Sequence, residues 1–332
     1  MERSFFTELH PESCLFAVTV LLFRPGCFGG SNHPRILLKT FSTGRLLRCA
    51  VDITPNIRST LFQEKSQIER AALKTTPYNT APKLIETLCV YRDMNLSQFK
   101  ILTFDVYGTL IDWESGMING LKPLTDRLEG DLSRDDILKA HALYESTAQR
   151  FSPSKKYSEL LATVYRRLSE HWGISVEWEE CLAYGQSVPL WPAFDDSAEA
   201  LAYLKQHFQL AVLTNTDNVS FSGSNARLGV SFDDVMTAED IGSYKPDDRN
   251  FDYMLETLAH RGIAEEEILH VAESMFHDHQ PANRHGLANC WIYRRHDQKG
   301  FGATMDPGKM PKVDFTFNSM AELAKAHRQE LE

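Results

Sequence analysis

Four short stretches place chemically able residues where apolar runs stop: Asp105 in "FDVYGTLID" (104–112), Thr214 and Asn215 in "LTNTDN" (213–218), Lys245 in "SYKPD" (243–247), and Glu273 and Asp278 in "VAESMFHDHQPA" (271–282). Taken singly, each has a plain explanation. An Asp before Gly-Thr suits a turn, Thr and Asn cap helices, and a lysine before proline can sit in solvent. Gathered at one end of a sheet, they would form a carboxylate nucleophile with its supporting set. Two neighbouring patterns carry less. In "HDH" (277–279) alternate residues diverge on a helix, which argues against a paired metal site, and "GFGAT" (300–304) lacks the lysine of a phosphate-binding loop and reads as a surface loop.

The elements that must bring these groups together are legible in the alternation of β-rich runs and helical patterns. Strands are expected at 100–106, 209–215, 234–238, 268–274, 289–294 and 313–317. The near-continuous apolar character of the first, second and fourth suits parallel strands covered on both faces. Crossover helices are expected over 196–208 and 250–262, the second closing on glycine. Residues 117–190 break this rhythm with helical patterns and no strand; Leu161, Val164, Tyr165, Leu168 and Trp172 fall on one helical stripe. The expected architecture is therefore α/β, a Rossmann-like doubly wound parallel sheet with an inserted all-helical cap. The core is drawn from 96–116 and 191–332, and ligands sit at the carboxyl ends of its strands.

Composition narrows the function classes. The 332-residue chain is 42% apolar, enough for a substantial core, and its net charge of −10 opposes general binding to nucleic acid. Six cysteines stand far apart without paired spacing, so neither a zinc site nor a disulfide framework is signalled and a reducing compartment fits. The early run "CLFAVTVLLF" (14–23) is about half a membrane span, and acids precede it where a secretory signal would be basic. Residues 24–60 are rich in Arg, Ser and Thr. Residues 1–95 thus read as an unordered extension, with the cytoplasm as location, or the mitochondrion if 24–60 act as a transit segment.

The ordered set of four stretches resembles the haloacid dehalogenase superfamily, and within it the type II 2-haloacid dehalogenase-like hydrolases. It is closest in "FDVYGTLIDWESG", "YKPDDRNF" and "HVAESMFHDHQPANRHGLANCWIYRRH". The resemblance implies that Asp105 attacks substrate to form a covalent aspartyl intermediate that water hydrolyses. It implies that Thr109 and Thr214 donate to carboxylate oxygens, and that Lys245 keeps Asp105 ionised and stabilises developing charge. Tyr107, Asn215 and Ser274 would hold substrate, and Asp278 would position or activate the water.

Residue 107 separates two activities. Phosphatases of this superfamily carry an acid two positions after the nucleophile to protonate a leaving alkoxide; halide needs none, and this chain has Tyr107. The expectation is hydrolytic dehalogenation of a small 2-haloacid-like molecule without a cofactor. Departures stand beside it: Ala142 falls where the dehalogenases carry a substrate-holding arginine, Phe251 replaces a tyrosine, and Glu273, Ser274 and Met275 replace Ser-x-Asn. Glu273 with Asp105 and Asp278 could make a three-carboxylate set for Mg²⁺, or pair with Lys245. A magnesium-dependent phosphatase and a non-catalytic binding protein of the same fold are the alternatives, and a homodimer is left open.

Overall fold

The computed structural model describes residues 17–23, 35–42, 45–52, 94–130 and 132–332, in two compact units, Met1–Arg92 and Asp93–Glu332. In the first unit β1 (Ala17–Phe23), β2 (Arg35–Ser42) and β3 (Arg45–Asp52) form an antiparallel sheet in that order. The rest of the extension expected over 1–95, including most of the transit-like stretch, lies outside the described residues.

The second unit is built on a sheet of six parallel strands: β4 (Ile101–Phe104), β5 (Gln209–Thr214), β6 (Asp234–Thr237), β7 (Ile268–Ala272), β8 (Ala288–Ile292) and β9 (Phe315–Phe317). Their order across the sheet is β6-β5-β4-β7-β8-β9. Every residue of β4 and β7 is buried, as strands packed under helices on both faces must be. The chain runs from β4 outward through β5 and β6, then returns to the other flank of β4 for β7 to β9. That reversal opens a crevice at the carboxyl end of β4, and Asp105 is the first residue beyond it; its N–H still bonds Val271 O at 3.1 Å.

Five helices separate β4 from β5, and the first four make up the helical insertion: α1 (Trp113–Thr125), α2 (Arg134–Phe151), α3 (Tyr157–His171) and α4 (Trp178–Gly185). The helical insertion therefore begins four residues earlier than the sequence pattern suggests. Asp112 starts α1 by accepting from Ser115 N, a cap masked in the sequence by the apolar residues on either side. Leu161, Val164, Tyr165 and Leu168 are all buried on the inner stripe of α3. A Cβ at Gly185 would run into the carbonyl of Ser158, so α3 and α4 approach more closely than any other residue would permit.

The remaining helices, α5 (Ser197–Leu204), α6 (Asn218–Leu228), α7 (Ala238–Ile241), α8 (Asp248–His260), α9 (Gln280–Arg284) and α10 (Met320–Leu331), complete the second unit. Asp217, at the start of α6, caps that helix through Ser220 N (2.8 Å) and also accepts from Ser158 N (2.8 Å) at the start of α3. With Lys156 Nζ 2.6 Å from Glu239, it ties the helical insertion to the loops at the sheet's carboxyl end.

The "GFGAT" loop is not the free surface loop its sequence suggests. Ala303 and Thr304 are buried, and Ala303 N donates to Glu114, whose carboxylate also receives Arg295 Nη1 at 2.7 and 2.5 Å. The loop closes over an ion pair that the sequence gives no reason to expect.

Candidate active site

Lys245 organises the pocket. It lies in the loop that precedes α8, and Asn215 holds that loop by both faces of its amide: Lys245 N donates to Asn215 Oδ1 (2.7 Å) and Asn215 Nδ2 to Lys245 O (3.0 Å). The fully buried ammonium spends its three protons on Asp105 Oδ1 (2.9 Å), Asp278 Oδ1 (2.7 Å) and Leu213 O (2.8 Å). Burial alone would depress its pKa, but the two carboxylates outweigh burial and raise it, so the group stays charged.

Asp105 has one oxygen on Lys245 and the other on Thr109 Oγ1, at 2.7 Å. Thr109 can donate in that direction because its oxygen is already engaged by the N–H of Glu273 (2.8 Å), which orients the hydroxyl proton toward Asp105. Gly108 has φ +99°, a conformation that side chains resist, and it turns the chain so that Thr109 folds back on Asp105. Burial raises the Asp105 pKa above its ordinary value, with Lys245 opposing and Asp278 adding to it. The result is a poorly solvated carboxylate with an ammonium against it.

Asp278 is the second acid on Lys245. It sits in a single wide helical turn, Met275–His279, started by Ser274, whose Oγ accepts from His277 N (3.0 Å). Burial would raise the pKa of Asp278, but Lys245 and His270 outweigh it and hold the group well below the usual carboxylate range. His270 Nε2 is 3.0 Å from the same oxygen that meets Lys245, and Thr103 Oγ1 fixes the opposite ring nitrogen at 2.9 Å. The other oxygen, Oδ2, is buried and has no hydrogen-bond partner. A carboxylate anchored through one oxygen leaves the other to accept a hydrogen bond from a water.

These groups line a small pocket of about 30 Å³ that also includes Tyr107, Thr216 and His277 from the core and Glu145, Gln149 and Tyr157 from α2 and α3. Of the residues singled out in the sequence, Asp105, Tyr107, Thr214, Asn215, Lys245, Ser274 and Asp278 meet here, with Thr109 directly behind Asp105. Three do not behave as expected. Thr214 turns its hydroxyl to Thr216 (3.2 Å) rather than to a carboxylate, because Lys245 and Thr109 already fill that position. Ala142 is buried but does not reach the pocket; α2 is rotated so that Glu145 and Gln149 face it. Glu273 does not pair with Lys245 and is not among the pocket's lining groups.

The position of Glu273 bears on magnesium. Asp105 and Asp278 meet, but an ammonium stands between their facing oxygens and the third carboxylate is held apart. Among the described residues no cluster of three His, Cys, Asp or Glu side chains is arranged to hold a metal. As built, the site does not fit the expected three-carboxylate set. The two histidines of "HDH" also diverge: His277 lines the pocket, while His279 is buried against Asn289 (2.9 Å) and Ala272 O (3.0 Å).

Glu273 has a measurable signature of its own. Burial, followed by the negative charge of Glu114 and Asp105, pushes its carboxyl up from 4.5 to about 8. A group raised in this way contributes stability that is complete below its unfolded pKa and lost as pH rises through about 8. Glu273→Gln should therefore melt with the native chain at pH 5 and be more stable than it at pH 9. The gain should be about 1–2 kcal/mol, less than the whole shift because the side chain keeps part of its solvent. Thermal melts at the two pH values measure it.

His270, Glu145, Gln149, Tyr157, Thr216 and His277 escape a reading of the sequence. Two left a trace. A histidine inside the apolar run "ILHVA" must find a partner once buried, and His141, Glu145 and Gln149 recur every fourth residue along one face of α2.

With this geometry in view, comparison with known proteins is decisive for the family. Residues 102–292 match the haloacid dehalogenase-like hydrolase family. The chain belongs to that family. It is 27% identical over 208 residues to the (S)-2-haloacid dehalogenase of Pseudomonas sp. strain YL, covering 60% of this chain and 84% of that one. Its fold is that of the L-2-haloacid dehalogenase of Xanthobacter autotrophicus solved with chloropropionic acid covalently bound (16% identity, TM-score 0.56, 69% of this chain and 98% of that one). It is equally that of the Bacillus subtilis HAD-hydrolase YfnB bound to magnesium (20% identity, TM-score 0.54, 69% and 99%). No helix among the described residues is long and apolar enough to cross a membrane.

Proposed function

We propose that this hydrolase displaces halide from carbon in a small 2-haloacid-like substrate, through an ester formed on Asp105. Helices α1 to α4 serve as the cap that closes the pocket. An Asp105 oxygen attacks the carbon, a C–O bond forms, and the C–halogen bond breaks with its electron pair leaving on the halide. Lys245 and Thr109 hold Asp105 for the approach. Water then attacks the ester carbonyl carbon of Asp105 while the free Oδ2 of Asp278 takes its proton. The ester C–O bond cleaves, the departing alkoxide takes the proton held on Asp278 and leaves as an alcohol, and Asp105 releases the remaining water proton to solvent as its carboxylate returns.

The observation that carries this reading lies at residue 107. Tyr107 OH is 2.8 Å from Ser224 Oγ, and burial pushes its pKa well above 10. It is tied up and holds its proton at neutral pH, so the position two after the nucleophile offers no acid to a leaving alkoxide. A leaving group that departs as a stable anion fits. The ammonium between Asp105 and Asp278 supports the same reading, since it neutralises the pair without a metal. The Xanthobacter enzyme, solved with chloropropionic acid covalently bound, supplies the precedent for a covalent intermediate.

The test is a single turnover in ¹⁸O water with halogenated candidates. Label should enter the peptide containing Asp105, and halide release should survive exhaustive chelation. Magnesium-dependent release of phosphate from a generic phosphate ester, with no halide from any candidate, would replace this reading with the phosphatase one.

A further inference from the structure

The pocket that holds Asp105 is also lined by a carboxylate from the helical insertion, Glu145. Glu145 is buried on α2, and it is held from behind. Tyr157 OH and Gln149 Nε2 donate to Glu145 Oε1 at 2.9 and 3.1 Å, and His141 Nδ1 lies 3.3 Å from Oε2 with its other ring nitrogen 2.7 Å from Tyr184 OH. Two donors converging on Oε1 mark an acceptor held in place, not a side chain free to swing away. Glu145, Gln149 and Tyr157 line the pocket, whereas His141 and Tyr184 stand behind them.

The charge in this small space is one-sided. Asp105, Asp278 and Glu145 all line it, and among the described residues lining it Lys245 is the one lysine or arginine. Its three protons are committed to Asp105, Asp278 and Leu213 O. A substrate bearing a free carboxylate would bring a further negative charge into the pocket that Asp105, Asp278 and Glu145 line, with no guanidinium or ammonium available among the described lining residues to receive it. Like charges brought together out of water are strongly penalised. A group that donates a hydrogen bond would instead meet acceptors.

We propose that Glu145 is a specificity residue that turns carboxylate-bearing substrates away, and that the substrate presents an uncharged, hydrogen-bond-donating group, such as a carboxamide, where a 2-haloacid carries its carboxylate. This rests on the aspartyl-ester reaction above and narrows its substrate. The chain would act on the neutral counterpart of a 2-haloacid.

The experiment compares halide release from 2-chloropropionamide and 2-chloropropionate by the full chain and by Glu145→Gln. Asp105→Asn serves as the blank for uncatalysed loss. The native chain should favour the amide in kcat/KM by at least about tenfold. Glu145→Gln should erode that ratio mainly by lowering KM for the acid, a split that a general loosening of α2 would not produce. Preference of the native chain for the acid, or a ratio unmoved by Glu145→Gln, overturns the proposal. If neither compound releases halide, the ester reading fails on its own, and calorimetric binding of the same pair decides this one. Acid binding gained in Glu145→Gln sustains it, and acid binding equal to or stronger than amide binding in the native chain, or no binding of either, overturns it.

Discussion

Asp105→Asn should abolish turnover, with kcat/KM falling on the order of 10⁴-fold or more, while the fold persists. The substitution keeps the size of the side chain and removes the one group that can form the ester. The surrounding structure has no substitute: Thr109 and Lys245 are donors aimed at residue 105, and Asp278 is tethered to Lys245 and His270. Retention of the fold is expected because a neutral amide is easier to bury than a carboxylate whose pKa burial already raises. Steady-state halide release, read beside far-ultraviolet circular dichroism, separates the two outcomes. If the variant retained appreciable activity, Asp105 could not be the nucleophile.

Lys245→Met should cost more in stability than any other single change at this site. Methionine fills a similar volume but leaves Asp105 and Asp278 facing each other, buried, with no cation between them. Removing one partner of a buried charge cluster costs roughly 3–5 kcal/mol. In a folded unit of this size that is a fall in melting temperature of roughly 10 °C or more.

The pH dependence provides the sharper check. In the native chain Asp278 is held below its ordinary pKa, so its contribution is present above the unfolded value and lost as the solution is acidified through the folded one. Lys245 is raised, so its contribution holds below the unfolded lysine value and fades as pH climbs through the folded one. The contributions of Asp278 and Lys245 are therefore both in full at neutral pH, while Asp105, held above its ordinary pKa, runs the other way and loses its contribution as pH rises. Without the ammonium the two acids repel and must take up a proton, which raises their coupled pKa. Lys245→Met should then recover stability as pH falls from 8 toward 5, opposite in sign to the contribution of the native Asp278. Melts across that range measure the slope, and a variant with native stability and slope would remove Lys245 from the centre of the site.

How much of this was legible beforehand depends on the range of the interaction concerned. The six core strands lie within a few residues of where apolar runs and flanking helical patterns place them, because strand formation here follows burial on both faces, a local property of composition. The residues at the strand ends were legible for the same reason: Asp105, Lys245 and Asp278 break apolar runs at points where an α/β sheet brings its carboxyl ends together. Thr214 was misjudged because its hydroxyl had two available partners, and which one it takes depends on Lys245, a residue distant in the chain, already occupying the Asp105 oxygen. Ala142 was misplaced because one step along a helix turns a side chain by about 100°, so a small error in register exchanges pocket for core.

By itself the sequence determined that this is a parallel α/β fold with a helical insertion, and that a carboxylate, a lysine and a second acid stand where its chain leaves the apolar runs. Those features depend on hydrophobic pattern and on short segments. Only the tertiary structure decided that one ammonium bridges Asp105 and Asp278, that His270 anchors the second acid from within a strand, that Glu273 stands apart, and that Glu145 lines the nucleophile's pocket. Each of these is a contact between residues far apart in the chain or a rotation of one element against another. Such contacts are selected by packing and by the need to pair every buried charge, and they leave little trace in local composition.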